Sequence, residues 1–83
     1  MGKYTELERV KHNIEILERK LFAYGKVREA INNLAKEYAY DPYVLEVLLA
    51  IDKTIFRQMQ FVMEGLERLK RRYSELAKAG PPP

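Results

Sequence analysis

Apolar residues recur every three or four positions along almost the whole chain, and the recurrence is interrupted once, at Asp41-Pro42. Spacing of this kind keeps one face of an α-helix against a neighbouring helix. The positions before and after the break pair so that their numbers sum to 82 near it and to 83 from the pair of Tyr24 onwards. A nearly constant sum is typical of antiparallel helices, so the sequence predicts an all-α, antiparallel two-helix hairpin. The predicted pairs are Tyr38 with Val44, Leu34 with Leu48, Ile31 with Ile51, Val27 with Ile55, Tyr24 with Met59, Leu21 with Val62, Leu17 with Leu66, Ile14 with Leu69, Val10 with Tyr73, and Leu7 with Leu76.

Capping signals set the predicted ends of the two helices. Thr5 and Glu8 have the spacing of a capping box, which predicts a first helix over about 5–39. Asp41 can cap a second helix that begins at Pro42, and this helix is predicted over about 42–79. The helical hairpin domain thus covers 1–80, and the proline tail 81–83 is expected to be disordered.

Both apolar runs change phase at the same level. The first run repeats a step of three between Tyr24 and Val27, and the second repeats a step of four between Ile55 and Met59. We interpret the two changes as compensating local changes in winding and predict continuous helix through both. Gly25 lies beside the change, so its missing side chain is expected to let the second helix approach.

Apolar residues remain after the hairpin contact is assigned. On the second helix they form a stripe about 100° from that contact, and further apolar residues lie on the first helix. A helix with two adjacent apolar stripes is typical of a four-helix bundle, in which each helix contacts two neighbours. The predicted oligomer or partner interface is Leu45, Leu49, Phe56, Met63, Ile16 and Phe22.

Size and composition also favour association. A hairpin of 83 residues is a thin rod, yet 47% of its residues are hydrophobic, more than one helix–helix contact can bury. We therefore expect a homo-oligomer, most simply a dimer that forms a four-helix bundle. The alternative is that the same surface docks on a larger protein partner.

The net charge of +3 is unevenly placed. Residues 21–63 hold five basic and five acidic residues, whereas 1–20 and 64–83 together hold ten basic and seven acidic ones. The end of the hairpin opposite the turn, called the open end below, is therefore basic. A possible nucleic-acid surface there comprises Arg68, Lys70, Arg71, Arg72, Lys11 and Arg19. The alternative is an ordinary solvated face, because Glu64 and Glu67 stand four residues before Arg68 and Arg71.

Residues for catalysis or metal binding are sparse. The chain has no cysteine, and Ser74 is its only serine. Its only histidine, His12, lies between Glu8 and Glu15 on a charged helical face. Metal sites in helical bundles use the order Glu-x-x-His, which these residues do not have. The sequence predicts no enzyme, no cofactor and no metal, and a soluble cytoplasmic protein without a membrane span. Abundant Glu, Lys and Arg are typical of thermophilic proteins.

These features predict a non-enzymatic, self-associating structural or interaction subunit. The alternatives are a nucleic-acid-binding or coating protein, such as a small chromatin or virion component, and an accessory subunit of a larger complex.

Overall fold

The computed structural model of the chain describes residues 2–78 and consists there of two helices, α1 (Gly2–Glu37) and α2 (Pro42–Lys78). The helices pack side by side, and ion pairs join Glu6 to Arg72 and Arg28 to Asp52. A residue near the start of α1 thus pairs with one near the end of α2, and a later residue of α1 pairs with an earlier one of α2. The two helices are therefore antiparallel. The predicted all-α hairpin is confirmed. The predicted end of the second helix at 79 and the tail 81–83 lie outside the described residues.

The turn is held by Asp41. One carboxylate oxygen of Asp41 accepts hydrogen bonds from the backbone N–H groups of Tyr43 at 3.0 Å and Val44 at 3.2 Å. These are among the N–H groups that the first turn of a helix leaves without a partner. Pro42, whose φ suits the first helical position and which has no N–H, begins α2. The predicted start of the second helix is confirmed.

The predicted start of the first helix is wrong. α1 is already helical at Gly2, so Thr5 lies inside the helix and does not cap it. Residues 2–4 contain no proline that would stop a helix from extending past Thr5. At its other end α1 stops at Glu37, two residues before the predicted boundary, and a turn follows over 38–40.

The contact between the helices, called the seam below, is regular from one end to the other. Its residues are buried or half-buried and alternate in steps of three and four. On α1 they are Leu7, Val10, Ile14, Leu17, Leu21, Tyr24, Arg28, Ile31 and Ala35. On α2 they are Leu45, Leu48, Asp52, Ile55, Met59, Val62, Leu66, Leu69, Tyr73 and Leu76.

This regularity corrects the predicted pairing near the turn. Val27, Leu34, Tyr38 and Ile51 are exposed, and Arg28, Ala35 and Asp52 occupy the neighbouring seam positions instead. The seam therefore does not change phase. The apparent change arose because apolar residues beside the seam were taken for members of it. Both helices are nevertheless continuous through this level, as predicted.

Gly25 does not admit the second helix, contrary to expectation. A Cβ atom built on Gly25 would meet no atom within 4 Å. The closer approach is at Gly65, where a Cβ atom would lie 3.5 Å from Cδ1 of Leu17, an ordinary van der Waals contact. Gly25 follows the seam residue Tyr24 and borders an open depression between the two helices.

Candidate functional site

The hairpin has two broad sides, one on each flank of the seam. A residue just before a seam residue and a residue just after it are displaced from it by about 100° in opposite senses. In antiparallel helices, the residues that follow seam residues share one side, and those that precede them share the other. The cross-helix ion pairs agree: Glu18 and Lys70 both follow seam residues, whereas Glu6 and Arg72 both precede them.

The first side, called the groove side, contains an open depression of about 630 Å³ between the helices near the turn. Arg28, Asn32 and Ala35 line it from α1, and Leu45 and Leu49 line it from α2. Farther from the turn, the same side carries Phe56 and Met63, since each follows a seam residue.

Arg28 and Asp52 form a two-bonded ion pair at the edge of this groove. The Nε of Arg28 donates to Oδ1 of Asp52 at 2.8 Å, and Nη2 donates to Oδ2 at 3.1 Å. The guanidinium carbon also lies 5.0 Å from the ring centroid of Phe56, within reach of a cation–π contact. The hydrogen bond from Arg28 lowers the pKa of the Asp52 carboxyl, although partial desolvation opposes the shift. The partner of Asp52 thus comes from the other helix, although the basic residues Lys53 and Arg57 are close to it in sequence.

The second side, called the aliphatic side, is formed by apolar residues that precede seam residues. Near the turn these come from both helices, and most of them are exposed. They are Ala23, Val27, Ala30 and Leu34 on α1, and Val44, Val47, Ile51 and Phe61 on α2. Thr54 and Gln58 lie among them, so no charged residue precedes a seam residue over 23–34 or 44–61, and the nearest charge on this side is Lys20, which precedes Leu21. Sequence reasoning missed the surface because it had placed Val27, Leu34 and Ile51 in the seam.

The structure divides the predicted interface residues between the two sides. Leu49, Phe56 and Met63 lie on the groove side and are exposed, and Leu45 is a half-buried seam residue at the edge of the groove. Phe22 follows the seam residue Leu21 and so also lies on the groove side, beside Glu15, Glu18 and Arg19, and the Nζ of Lys26 lies 5.5 Å from the centroid of its ring. Ile16 precedes Leu17 and therefore lies on the aliphatic side.

The predicted nucleic-acid residues surround the open end and do not form one face. Lys70 and Arg72 are about 160° apart on α2, and each pairs with a different acid of α1, Glu18 and Glu6. Arg71 pairs with Glu67 on its own helix at 3.2 Å. Within residues 5–78, Arg68, Lys11 and Arg19 form no ion pair. The excess charge is thus distributed around the rod and partly paired.

Glu8, His12 and Glu15 are all exposed on α1. In the described part of the chain, no group of three histidine, cysteine or acidic residues is placed to hold a metal ion. Neither described helix has a stretch that is long and apolar enough to cross a membrane.

Comparison of the chain with protein-family models, with curated proteins and with solved structures found no match.

Proposed function

We propose that this protein is a non-enzymatic helical hairpin that self-associates and serves as a structural or interaction subunit. The observation that supports this proposal is the area of its surface. The chain exposes 6646 Å². A compact monomer of its mass, 9.8 kDa, exposes about 5,200 Å². The surplus of about 1,400 Å² exceeds the roughly 800 Å² that each partner buries in a stable protein complex.

The shape explains the surplus. The hairpin measures 66 × 16 × 15 Å and has a radius of gyration of 18.6 Å. A compact domain of this length has a radius of gyration of about 12 Å. A rod one hairpin thick has little interior, and only Val10, Leu48, Leu66 and Leu76 are buried apolar residues among those described. Packing a second hairpin along the rod would give each helix a second neighbour.

Association is tested by the mass of the protein in solution. Multi-angle light scattering measures mass independently of shape, whereas elution volume alone would overestimate the mass of a rod. We expect a particle of at least twice 9.8 kDa at micromolar concentration. A monomer that persists to about 1 mM, where the association free energy would be no stronger than about −4 kcal/mol, would refute self-association.

Binding of phosphate groups at the open end is a second candidate function. The uneven charge supports it, because the whole excess of three positive charges lies in 1–20 and 64–83. The ion pairs of Lys70, Arg71 and Arg72 count against a strong patch. Titration with single- and double-stranded nucleic acid at about 50 and 200 mM salt tests it, since each phosphate contact contributes roughly 0.7 to 0.9 to the salt slope. Arg68→Gln should lower the affinity alike for all sequences. Absence of binding by the assembled protein at the lower salt concentration would reject this function.

A further inference from the structure

We infer that a second copy of this chain docks on the aliphatic side near the turn, so that the aliphatic sides of two hairpins face each other. This inference rests on the proposed self-association and adds the surface through which it occurs. It differs from the interface that the sequence indicates, which comprises mainly groove-side residues.

The aliphatic residues are uncovered because polar residues occupy the seam beside them. Arg28 and Asp52 hold seam positions, and the residue just before each, Val27 or Ile51, is turned out of the hairpin. Leu34 is displaced in the same way by the small seam residue Ala35. A hairpin that functioned alone could bury the aliphatic residues in its own seam. Their place outside the seam is what an additional helix–helix contact requires.

Charge distinguishes the two sides. Among the residues that follow seam residues near the turn, the groove side carries the four charged residues Glu29, Lys36, Glu46 and Lys53. The corresponding part of the aliphatic side carries none. The fully buried centre of a protein interface is depleted of charge. A two-fold axis would also bring each side against itself, so any charge near the axis would meet a like charge. The aliphatic side avoids that repulsion.

Area and the surrounding residues are consistent with a second hairpin as the occupant. The uncharged part of this side covers about half of the 66 Å rod, so at a width of 16 Å its flat footprint is about 500 Å². The rest of the roughly 800 Å² per partner of a stable dimer would come from the polar part of the same side towards the open end. Towards the open end, the same side carries the ion pair between Glu6 and Arg72. This pair would lie at a polar rim around the apolar centre.

The aliphatic side can be tested with two double variants that are matched in exposure and in charge. Val47→Glu with Ile51→Glu places two carboxylates on the aliphatic side, where the side chains replaced are 58% and 45% exposed in the hairpin. Leu49→Glu with Phe56→Glu places two on the groove side, where the side chains replaced are 57% and 46% exposed. Both variants lose two large apolar residues of α2 and gain two negative charges. Besides the side, the variants differ in one contact, that of the Phe56 ring with Arg28, which the groove-side variant also removes.

We expect the aliphatic-side variant to be monomeric, with its dissociation constant raised at least about 100-fold, because unpaired charges would be buried at the contact. The groove-side variant should keep the wild-type mass. The inference is overturned if the groove-side variant alone dissociates, or if both or neither do. A monomeric wild type would refute self-association itself, which separates failure of the proposed function from failure of this surface.

Thiol labelling tests the surface without charged variants, in case either variant loses its helical circular dichroism. The chain has no cysteine, so single substitutions can be compared directly. In the assembled protein, Val47→Cys should react with a maleimide at least tenfold more slowly than Leu49→Cys, although the two native side chains are 58% and 57% exposed in the hairpin. Equal rates, or slower labelling at Leu49→Cys, would show that the aliphatic side is not covered.

Discussion

Replacing Asp41 by alanine removes the cap of α2 and should destabilise the hairpin by a predictable amount. The side chain accepts hydrogen bonds from the N–H groups of Tyr43 at 3.0 Å and Val44 at 3.2 Å. In the variant, water can hydrogen-bond the N–H group of the exposed Tyr43, whereas it reaches the half-buried Val44 less easily. Loss of such a cap costs about 1 kcal/mol and at most about 2 kcal/mol.

The cost translates into a shift of the melting temperature. Unfolding entropy is about 2.1 cal/mol/K per residue near 60 °C, or about 170 cal/mol/K for 83 residues. A loss of 1 kcal/mol therefore lowers Tm by about 6 °C. Thermal unfolding followed by circular dichroism at 222 nm measures the shift. Wild type and variant must be compared at equal concentration, because self-association, if it occurs, would raise the apparent stability.

Asp41→Asn is the matched control, since asparagine caps helices about as well as aspartate. It keeps an acceptor oxygen and loses only the negative charge at the helix N-terminus, which contributes about 0.3 to 1 kcal/mol. We expect Asp41→Asn to lose no more than about half of what Asp41→Ala loses. If the two variants melt together, or if Asp41→Ala melts within about 2 °C of wild type, the cap does not hold the turn as described.

Three further predictions concern the seam and the groove side. Because Arg28 lowers the pKa of Asp52 in the folded chain, this pair should stabilise the fold above the unfolded carboxyl pKa of about 3.9 and lose that effect as the pH falls through the lowered value. In urea unfolding between about pH 5 and 2, the stability of Asp52→Asn should therefore fall less steeply with acid than that of wild type. An equally steep fall would refute the coupling. Gly25→Ala should raise stability by up to about 1 kcal/mol in denaturant unfolding, because its Cβ atom meets nothing within 4 Å, whereas a loss would indicate a partner packed there. Leu66→Ala should cost about 2 to 5 kcal/mol in the same assay, since Leu66 is only 7% exposed, and a cost below 1 kcal/mol would contradict a packed seam at the open end.

The hairpin and its turn could be predicted because local rules determine them. Apolar spacing indicates two helices, and Asp41-Pro42 combines a good cap with a residue suited to the first helical position. In the half of the chain near the open end, apolar residues also occupy the seam, so Leu17 and Leu66 were assigned correctly.

Near the turn the same rules failed, since they take the most apolar residue at each step as the buried one. Arg28 and Asp52 are charged and would be rejected on that basis, yet each neutralises the other across the seam. Their spacing was a usable signal: the alternation of three and four remains unbroken only if both are included. Which surface a partner would cover, and what that partner would be, could not be predicted, because both depend on contacts outside one chain.

The position of the pair between Arg28 and Asp52 within the seam has a consequence for the alignment of the helices. If the turn unwound to supply the length, α2 could slide along α1 by seven residues, or about 10 Å. Most apolar seam residues would then again face apolar residues. Arg28 would then face Leu45 or Met59 at the seam level now held by Asp52, and its charge would be stranded in an apolar setting. A uniformly apolar seam would tolerate several such slipped alignments with similar energy. One pair of opposite charges therefore penalises the slipped forms and favours a single alignment of the two helices.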